Sequence, residues 1–253
     1  MNWIKKDDPV EIVVLTEKLS YFESYPVKIF QISEKNKKEW SLNGRYNFRI
    51  KNRGLAYIMD QLKLSEHDKI LFLDTDTYFH KSPLSLFDLI QPNQALFYLN
   101  EGFIYNRKRF QVYIEHLEGK TIEVDNDVYE LSRQSSMWGS LMVGIMPNMR
   151  DSLEWSDKLM KVFFELVPAH TIEPFSLSES LLRHFKIAEG KKFVSLYSTS
   201  RKKEHAIPII VEFLRKSESF SIERKIDLAQ RVKIKRSAFK VLKQRFFHLI
   251  NIK

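Results

Sequence analysis

Short apolar runs alternate with segments of helical periodicity through most of this chain of 253 residues. Runs rich in β-branched and aromatic side chains are typical of buried strands, whereas apolar residues spaced three and four apart indicate helices. We predict strands at 11–15, 27–32, 69–73, 95–99, 141–145 and 193–197. We predict helices between the first two strands and at 50–63, 82–90, 107–118, 148–167 and 174–185, with Asn148 as an N-cap. The alternation predicts an α/β domain with a mixed, mostly parallel sheet flanked by helices.

The composition excludes several kinds of chemistry. The chain has no cysteine, so disulfides, zinc–cysteine sites and thiol catalysis are excluded. It has no apolar run of the length that spans a bilayer, no signal peptide and no N-glycosylation sequon. A cytoplasmic location is therefore the default expectation.

Positive charge is concentrated at the C-terminal end of the chain. Residues 216–253 contain eleven Lys and Arg against three Asp and Glu, a balance of +8, so the preceding 215 residues carry only +1 of the total +9. A nearly neutral body argues against a nucleic-acid-binding protein and indicates a separate role for the tail. We accordingly divide the chain into a domain at 1–215 and a basic amphipathic helical tail at 216–253.

The tail also has an apolar side. At helical spacing, one face of residues 232–253 carries Phe239, Leu242, Phe246, Leu249 and Ile250, and lysines and arginines flank it. An apolar stripe rimmed by cations is typical of helices that lie on an anionic membrane surface. This pattern predicts peripheral attachment at the inner face of the membrane, and a helix packed on the domain is the alternative.

The predicted strand at 69–73 ends at an acidic pair, Asp74 and Asp76. Ligands of open α/β sheets bind beyond the carboxyl ends of the strands, where these carboxylates are expected. Two carboxylates can hold Mg²⁺ or Mn²⁺ together with diphosphate oxygens, and the cation would stabilise a departing diphosphate. Two other interpretations stay open at this point. One is a solvated turn, and the other is a phosphatase of the haloacid-dehalogenase type, whose pattern has Thr or Val where Tyr78 stands.

Four segments of the chain resemble GT-A glycosyltransferases, and among them the family 8-like nucleotide-diphospho-sugar transferases of bacteria. The stretch "ILFLDTDTYFHKSPLSLF" resembles "LYLDxDTxFxxPLxxLF", and "SSMWGSLMVGI" resembles "xxMWNAGVIGI". Further along, "HTIEPFSLSESL" resembles "HxxEQFAxSxxL", and "FVSLYSTSRKKE" resembles the closing "IxHYWxxK". The segments occur in the family's order over about residues 10–215. The resemblance implies a GT-A-like fold and transfer of a sugar from a nucleotide diphospho-sugar to a glycan or glycolipid acceptor.

The resemblance also implies roles for particular residues. Asp74 and Asp76 would hold Mn²⁺ or Mg²⁺ at the donor diphosphate, and Glu173 would act near the anomeric carbon or the acceptor. Tyr197 and Lys202 would close over the diphosphate, while residues 138–140 would lie beside the donor sugar. The complete set of implied donor-binding residues is Asp74, Thr75, Asp76, Trp138, Gly139, Ser140, Tyr197 and Lys202.

Three positions differ from the family's pattern. Gly139 replaces an asparagine that would hydrogen-bond the sugar, Pro174 replaces a glutamine, and Leu196 replaces a metal-binding histidine. The strand and helix that open GT-A domains also have no counterpart before residues 11–17, so we expect a longer natural chain or an incomplete nucleotide pocket. The alternative function is therefore a catalytically degenerate protein of the same fold that binds a sugar or nucleotide.

Overall fold

The computed structural model describes residues 8–197, 200–229, 231–232 and 234. It contains two compact units: one is Pro9–Ser195, and the other includes Asp8 and the described residues from Leu196 onward. The predicted domain boundary near residue 215 lies within the long helix of the second unit, which spans Ser200–Ser217. Most of the segment 232–253, for which membrane attachment is predicted, lies outside the described residues.

Ten strands are present in the described part of the chain, and they include a counterpart of every predicted strand. They are β1 (Val13–Thr16), β2 (Lys28–Gln31), β3 (Ile70–Leu73), β4 (Thr77–Phe79), β5 (Gln94–Phe103), β6 (Ile122–Val124), β7 (Asp127–Tyr129), β8 (Ser136–Ile145), β9 (Lys186–Glu189) and β10 (Val194–Leu196). Strand β8 starts five residues earlier than predicted, so the whole segment 138–140 lies within it.

Five predicted helices are present with shorter or shifted bounds, whereas the segment between the first two strands forms only the 3-10 helix Leu19–Tyr21. The described residues contain eight α-helices. They are α1 (Glu34–Trp40), α2 (Arg49–Leu62), α3 (Leu84–Phe87), α4 (Gln111–Leu117), α5 (Arg150–Leu166), α6 (Ile172–Leu182), α7 (Ser200–Ser217) and α8 (Ile222–Ala229). The predicted cap is wrong, because α5 begins without a side-chain cap and Asn148 instead donates to the carbonyl oxygen of Pro92 at 2.8 Å. None of the described helices combines the length and the apolar character that crossing a membrane requires.

The largest sheet has four strands in the order β3-β8-β5-β9. Strand β8 runs antiparallel to both β3 and β5, and only the β5–β9 pair is parallel. The sheet is therefore mixed, and the prediction that it is mostly parallel is wrong. The error has a physical cause: periodicity along the chain identifies a strand, whereas its direction depends on where the connecting segment re-enters the sheet. Smaller two-stranded sheets pair β1 with β2 in parallel and join β6 to β7 in a hairpin.

Apolar side chains cover both faces of the four-stranded sheet. On one face, residues of α2, α5 and α6 pack against sheet residues that include Phe97, Trp138 and Val143. On the other face, α3 and the region of β10 pack against Leu96 and Met142. Burial of both faces explains why β8 has no regular alternation of polar and apolar residues. The arrangement leaves the carboxyl end of β3 beside the middle of β8.

Candidate functional site

The acidic pair leaves β3 next to the strand that carries residues 138–140. Leu73, the last residue of β3, pairs with Met142, and the amide nitrogen of Asp74 donates to the carbonyl oxygen of Leu141 at 2.8 Å. The hydroxyl of Thr77 donates to the carbonyl oxygen of Asp74 at 2.7 Å and closes the turn that contains Asp76. The Asp74 side chain is 35% exposed, and Asp76 is half-buried. Both residues are therefore partly exposed.

Lys51, in the first turn of α2, connects three of the predicted segments. Its ammonium nitrogen lies 3.2 Å from Oε2 of Glu173, 3.1 Å from Oγ of Ser140 and 3.2 Å from the Ser140 carbonyl oxygen. It also lies 3.6 Å from Oδ1 of Asp74. The Ser140 hydroxyl in turn donates to Oε2 of Glu173 at 2.8 Å. We call Lys51, Asp74, Ser140 and Glu173 the Lys51 cluster.

The backbone of Glu173, at the start of α6, is fixed by a hydrogen bond to Tyr46. Its backbone N–H donates to the hydroxyl oxygen of Tyr46 at 2.8 Å, and that hydroxyl donates to the carbonyl oxygen of His170 at 3.1 Å. The Glu173 side chain is only 2% exposed. Within the described residues, its Oε1 atom is buried and has no hydrogen-bond partner. Glu173 therefore acts on its surroundings through Lys51 and Ser140 in this conformation, and not by direct contact with solvent.

Burial and charge shift the carboxyl pKa values of the cluster. Burial raises the pKa of Glu173 above its ordinary value, and the Lys51 charge and the Ser140 hydrogen bond oppose this shift. Burial also raises the pKa of Asp74, Lys51 opposes the shift, and the negative charge of Asp76 adds to it. A single ammonium group thus stabilises the ionised form of two carboxylates that desolvation disfavours.

The other donor-binding candidates on β8 lie in different environments. Trp138 is buried, packs edge-on against Phe97, and donates from Nε1 to the Ser136 hydroxyl at 3.2 Å, so it belongs to the core. Gly139 is half-buried and lies beside β5. A Cβ atom at residue 139 would lie 3.1 Å from Oε1 of Glu101, so a carboxylate lies close to the space where the family's asparagine would project.

The remaining candidates are Thr75, Tyr197 and Lys202. Thr75 is exposed in the turn between Asp74 and Asp76. Tyr197 follows β10 and Lys202 is exposed in the first turn of α7, and both belong to the second unit. Their closure over a diphosphate stays a prediction.

Asp74 and Asp76 stay the predicted ligands of a divalent cation. Among the described residues, no group of three or more His, Asp and Glu side chains is arranged to hold a metal ion. Two carboxylates are nevertheless sufficient where substrate phosphates and water complete the coordination of Mg²⁺. The Asp74–Lys51 contact of 3.6 Å is longer than a hydrogen bond, so Asp74 keeps oxygen lone pairs for a cation. His80 is engaged elsewhere, by the Lys192 carbonyl oxygen at 2.9 Å and the Ser195 hydroxyl at 3.3 Å.

Sequence reasoning missed Lys51, although the sequence carries a signal for it. Lys51, Leu55, Ile58 and Leu62 recur at the spacing of one helical face, so Lys51 extends the apolar face of α2. A lysine on a buried face needs a partner for its charge. The nearest predicted strand ends in two aspartates, which would have made an ion pair with the acidic pair a reasonable prediction.

Comparison with known proteins does not identify a family for this chain. No protein-family model matches it, and no curated protein matches it. The functional interpretation therefore depends on the four segments quoted above and on the contacts among their residues.

Proposed function

We propose that this protein transfers a sugar from a nucleotide diphospho-sugar donor to a glycan or lipid-linked acceptor, on a GT-A-like domain. The observation that carries the proposal is the Lys51 cluster. Asp74, Ser140 and Glu173 come from three different motif segments, and all three contact one ammonium group. A chance likeness of separate short motifs gives no reason for them to meet at one point.

The charge of the cluster suits a phosphorylated ligand. Asp74 and Asp76 would hold Mg²⁺ or Mn²⁺ through carboxylate oxygens, and such a cation stabilises the negative charge of a leaving diphosphate when it is bound. Lys51 supplies a further positive charge at a fixed position. Since a diphosphate carries several negative charges, more than one cationic group favours its binding.

Glu173 supports the reaction as a positioning residue. Its buried carboxylate accepts hydrogen bonds from Lys51 and from the Ser140 hydroxyl, and so fixes both groups beside Asp74. The oxocarbenium-like transition state of glycosyl transfer is also stabilised by nearby negative charge, to which Glu173 and Asp74 contribute. Fixed charges in a partly buried site stabilise such a state better than water does.

The second candidate is a protein of the same fold that binds the nucleotide sugar without transferring the sugar. The burial of Trp138 and Glu173 favours it, because neither side chain presents a polar atom freely to a ligand. The substitutions at Gly139, Pro174 and Leu196 point the same way. Turnover is the property that separates the two candidates.

With either candidate function, the basic tail would place the protein at an anionic membrane surface that carries the acceptor. Its cations and apolar residues would bring the domain to lipid-linked substrates, with each cation contributing on the order of 1 kcal/mol near an anionic leaflet.

The proposal is tested by calorimetry of the full chain against a panel of nucleotide sugars in the presence of Mn²⁺, followed by product analysis. We expect one donor to bind and Asp76→Asn to weaken that binding at least tenfold, because a ligand to the cation loses its charge. Asp88→Asn is the matched control, since Asp88 is exposed at the end of α3. A panel with no binding donor would refute the proposal, and binding without hydrolysis or transfer would favour the second candidate.

A further inference from the structure

The position of Lys51 beside Asp74 leads to an inference about how the site binds its ligands. We propose that Lys51 is a fixed internal cation that keeps Asp74 and Asp76 from binding a divalent cation tightly until a diphosphate adds further negative charge. The inference rests on the cation site of the proposed function. It adds that tight binding of the cation depends on the diphosphate of the donor. It makes Lys51 a positioning residue that no quoted motif contains.

The ammonium group of Lys51 is anchored away from Asp74. An ammonium has three hydrogens to donate, and three acceptor atoms on Ser140 and Glu173 lie at 3.1–3.2 Å. The contact with Asp74 is the longest of the four, at 3.6 Å. The ammonium also lies 5.5 Å from the centre of the Phe72 ring, and the side chain is 12% exposed. Asp74 is thus influenced by the charge of Lys51 but does not hold it in place.

Lys51 cannot move away easily when a cation approaches. Its removal would leave the buried carboxylate of Glu173 without its ion-pair partner, and an uncompensated buried charge is strongly unfavourable. A divalent cation on Asp74 would therefore share the site with an ammonium group a few ångströms away. Like charges at such separations repel strongly when both are partly shielded from water.

The count of charges explains why a diphosphate changes this balance. With all groups ionised, three carboxylates and one ammonium leave two net negative charges on Asp74, Asp76, Glu173 and Lys51. A diphosphate adds at least two more next to the same groups, which makes a divalent cation more favourable. By linkage, a diphosphate that tightens cation binding is itself bound more tightly, by the same factor, when the cation is present.

The first test measures Mn²⁺ binding to the full chain without nucleotide. Lys51→Met alone leaves Glu173 uncompensated and is expected to destabilise the protein, so the double variant Lys51→Met/Glu173→Gln is compared with Glu173→Gln. These two proteins differ at the Lys51 side chain, whose ammonium keeps its two Ser140 acceptors in Glu173→Gln. We expect the double variant to bind Mn²⁺ at least about tenfold more tightly. Equal or weaker binding, including no detectable Mn²⁺ binding by either protein, would overturn the proposal.

A matched control shows whether any lysine near β3 has this effect. Lys69 donates to the carbonyl oxygen of Phe87 at 2.8 Å, just before β3, and has no ion pair with a carboxylate of the Lys51 cluster. Lys69→Met should leave Mn²⁺ affinity within about twofold of wild type. A gain equal to that of the double variant would mean that net charge, and not Lys51, controls the affinity, which would also overturn the proposal.

The second test repeats the Mn²⁺ titration in the presence of saturating UDP, and separately GDP. In Glu173→Gln, we expect the nucleoside diphosphate that binds to tighten Mn²⁺ binding at least about tenfold, and by less in the double variant. If a nucleotide binds but tightens Mn²⁺ binding equally in both proteins, the inference fails and the proposed function stands. If neither nucleotide binds although Lys51 controls Mn²⁺ affinity, the dependence on a diphosphate is refuted, and the panel of nucleotide sugars decides the proposed function.

Discussion

Two glutamates on one helix, the buried Glu173 and the half-buried Glu179 of α6, have opposite surroundings. Glu179 accepts hydrogen bonds from the Ser135 hydroxyl at 2.6 Å, the Tyr129 hydroxyl at 2.9 Å and the Ser136 backbone N–H at 3.1 Å. All of these donors are neutral, and both carboxylate oxygens are used. Glu173 instead contacts a cation, and one of its oxygens is buried without a partner among the described residues.

The difference separates a structural carboxylate from one that belongs to a site. A fully satisfied hydrogen-bond network fixes the packing of the chain segments that it joins, here the start of β8 and the middle of α6. A buried carboxylate with an unused oxygen stabilises the fold less than such a network does, because a buried polar atom without a hydrogen bond is unfavourable. Glu173 is also connected, through Lys51, to a partly exposed aspartate. We therefore expect Glu179 to matter mainly for stability and Glu173 mainly for function.

The sharpest test of this comparison is the pair Glu173→Gln and Glu179→Gln, assayed for turnover of the donor identified by the panel. Glu173→Gln removes the charge that holds Lys51, and misplacement of a group beside the reacting atoms by about 1 Å can cost on the order of 10²-fold in rate. Glu179→Gln should change the rate of the folded protein by less than about threefold. A ratio of kcat values near one between the two variants would break the comparison.

The comparison predicts the reverse order for stability. Glu179→Gln replaces one accepting oxygen with an NH₂ group, which faces at least one hydrogen-bond donor and cannot accept from it. We therefore expect a loss of about 1–3 kcal/mol in the free energy of unfolding near pH 5. Burial raises the pKa of Glu179, whereas its three hydrogen bonds oppose the shift. The folded protein therefore retains a proton that the unfolded chain has already released. The contribution of protonated Glu179 to the free energy of unfolding is complete below its pKa in the unfolded chain. It is lost as pH rises through its pKa in the folded protein.

Because glutamine does not titrate, the cost of Glu179→Gln should shrink as pH rises above about 4.5, by at most about 1.4 kcal/mol per pH unit. Urea unfolding from pH 4 to pH 8 measures this difference. Glu115→Gln is the control, since Glu115 is exposed on α4. A cost of Glu179→Gln that grows with pH would show that the hydrogen bonds outweigh the burial of the carboxyl group.

The sequence predicted most of the longer elements, but not several of the short strands or the contacts that make the site. Apolar periodicity predicted β3, β5, β8 and the core face of α5, because these are regular and rich in apolar residues. It missed β9 (Lys186–Glu189), a four-residue edge strand with charged ends that is recognisable only from its pairing with β5. Strand direction could not be predicted either, because the pairing of an edge strand and the direction of a strand both depend on partners distant in sequence.

Motif resemblance grouped three segments whose residues do contact one lysine in the structure, but it did not distinguish buried side chains from exposed ones. Asp74 and Asp76 are accessible as expected, whereas Trp138 and Glu173 are buried. A motif records which residue types occur together, and it does not tell a side chain that touches the ligand from one that supports it. Lys51 illustrates the converse, because its importance follows from burial of its charge and not from membership of a motif.

The smallest effect concerns β8, where two glycines extend the comparison from α6 to the sheet. At Gly144, an added Cβ would lie 2.6 Å from Cδ1 of Ile90 and 2.9 Å from Cβ of Leu96, both fully buried, so Gly144→Ala should cost about 1–3 kcal/mol through overpacking. At Gly139, the nearest atom is Oε1 of Glu101 at 3.1 Å, the end of a side chain that can move. Gly139→Ala should therefore cost less than about 0.5 kcal/mol in urea unfolding. If Gly139 borders the donor sugar, the same variant should nevertheless raise the donor KM severalfold, because the methyl group and the displaced Glu101 alter the contact surface. A Gly139→Ala protein as unstable as Gly144→Ala would show that both ends of β8 are packed as core, and the distinction between site and core along this strand would fail.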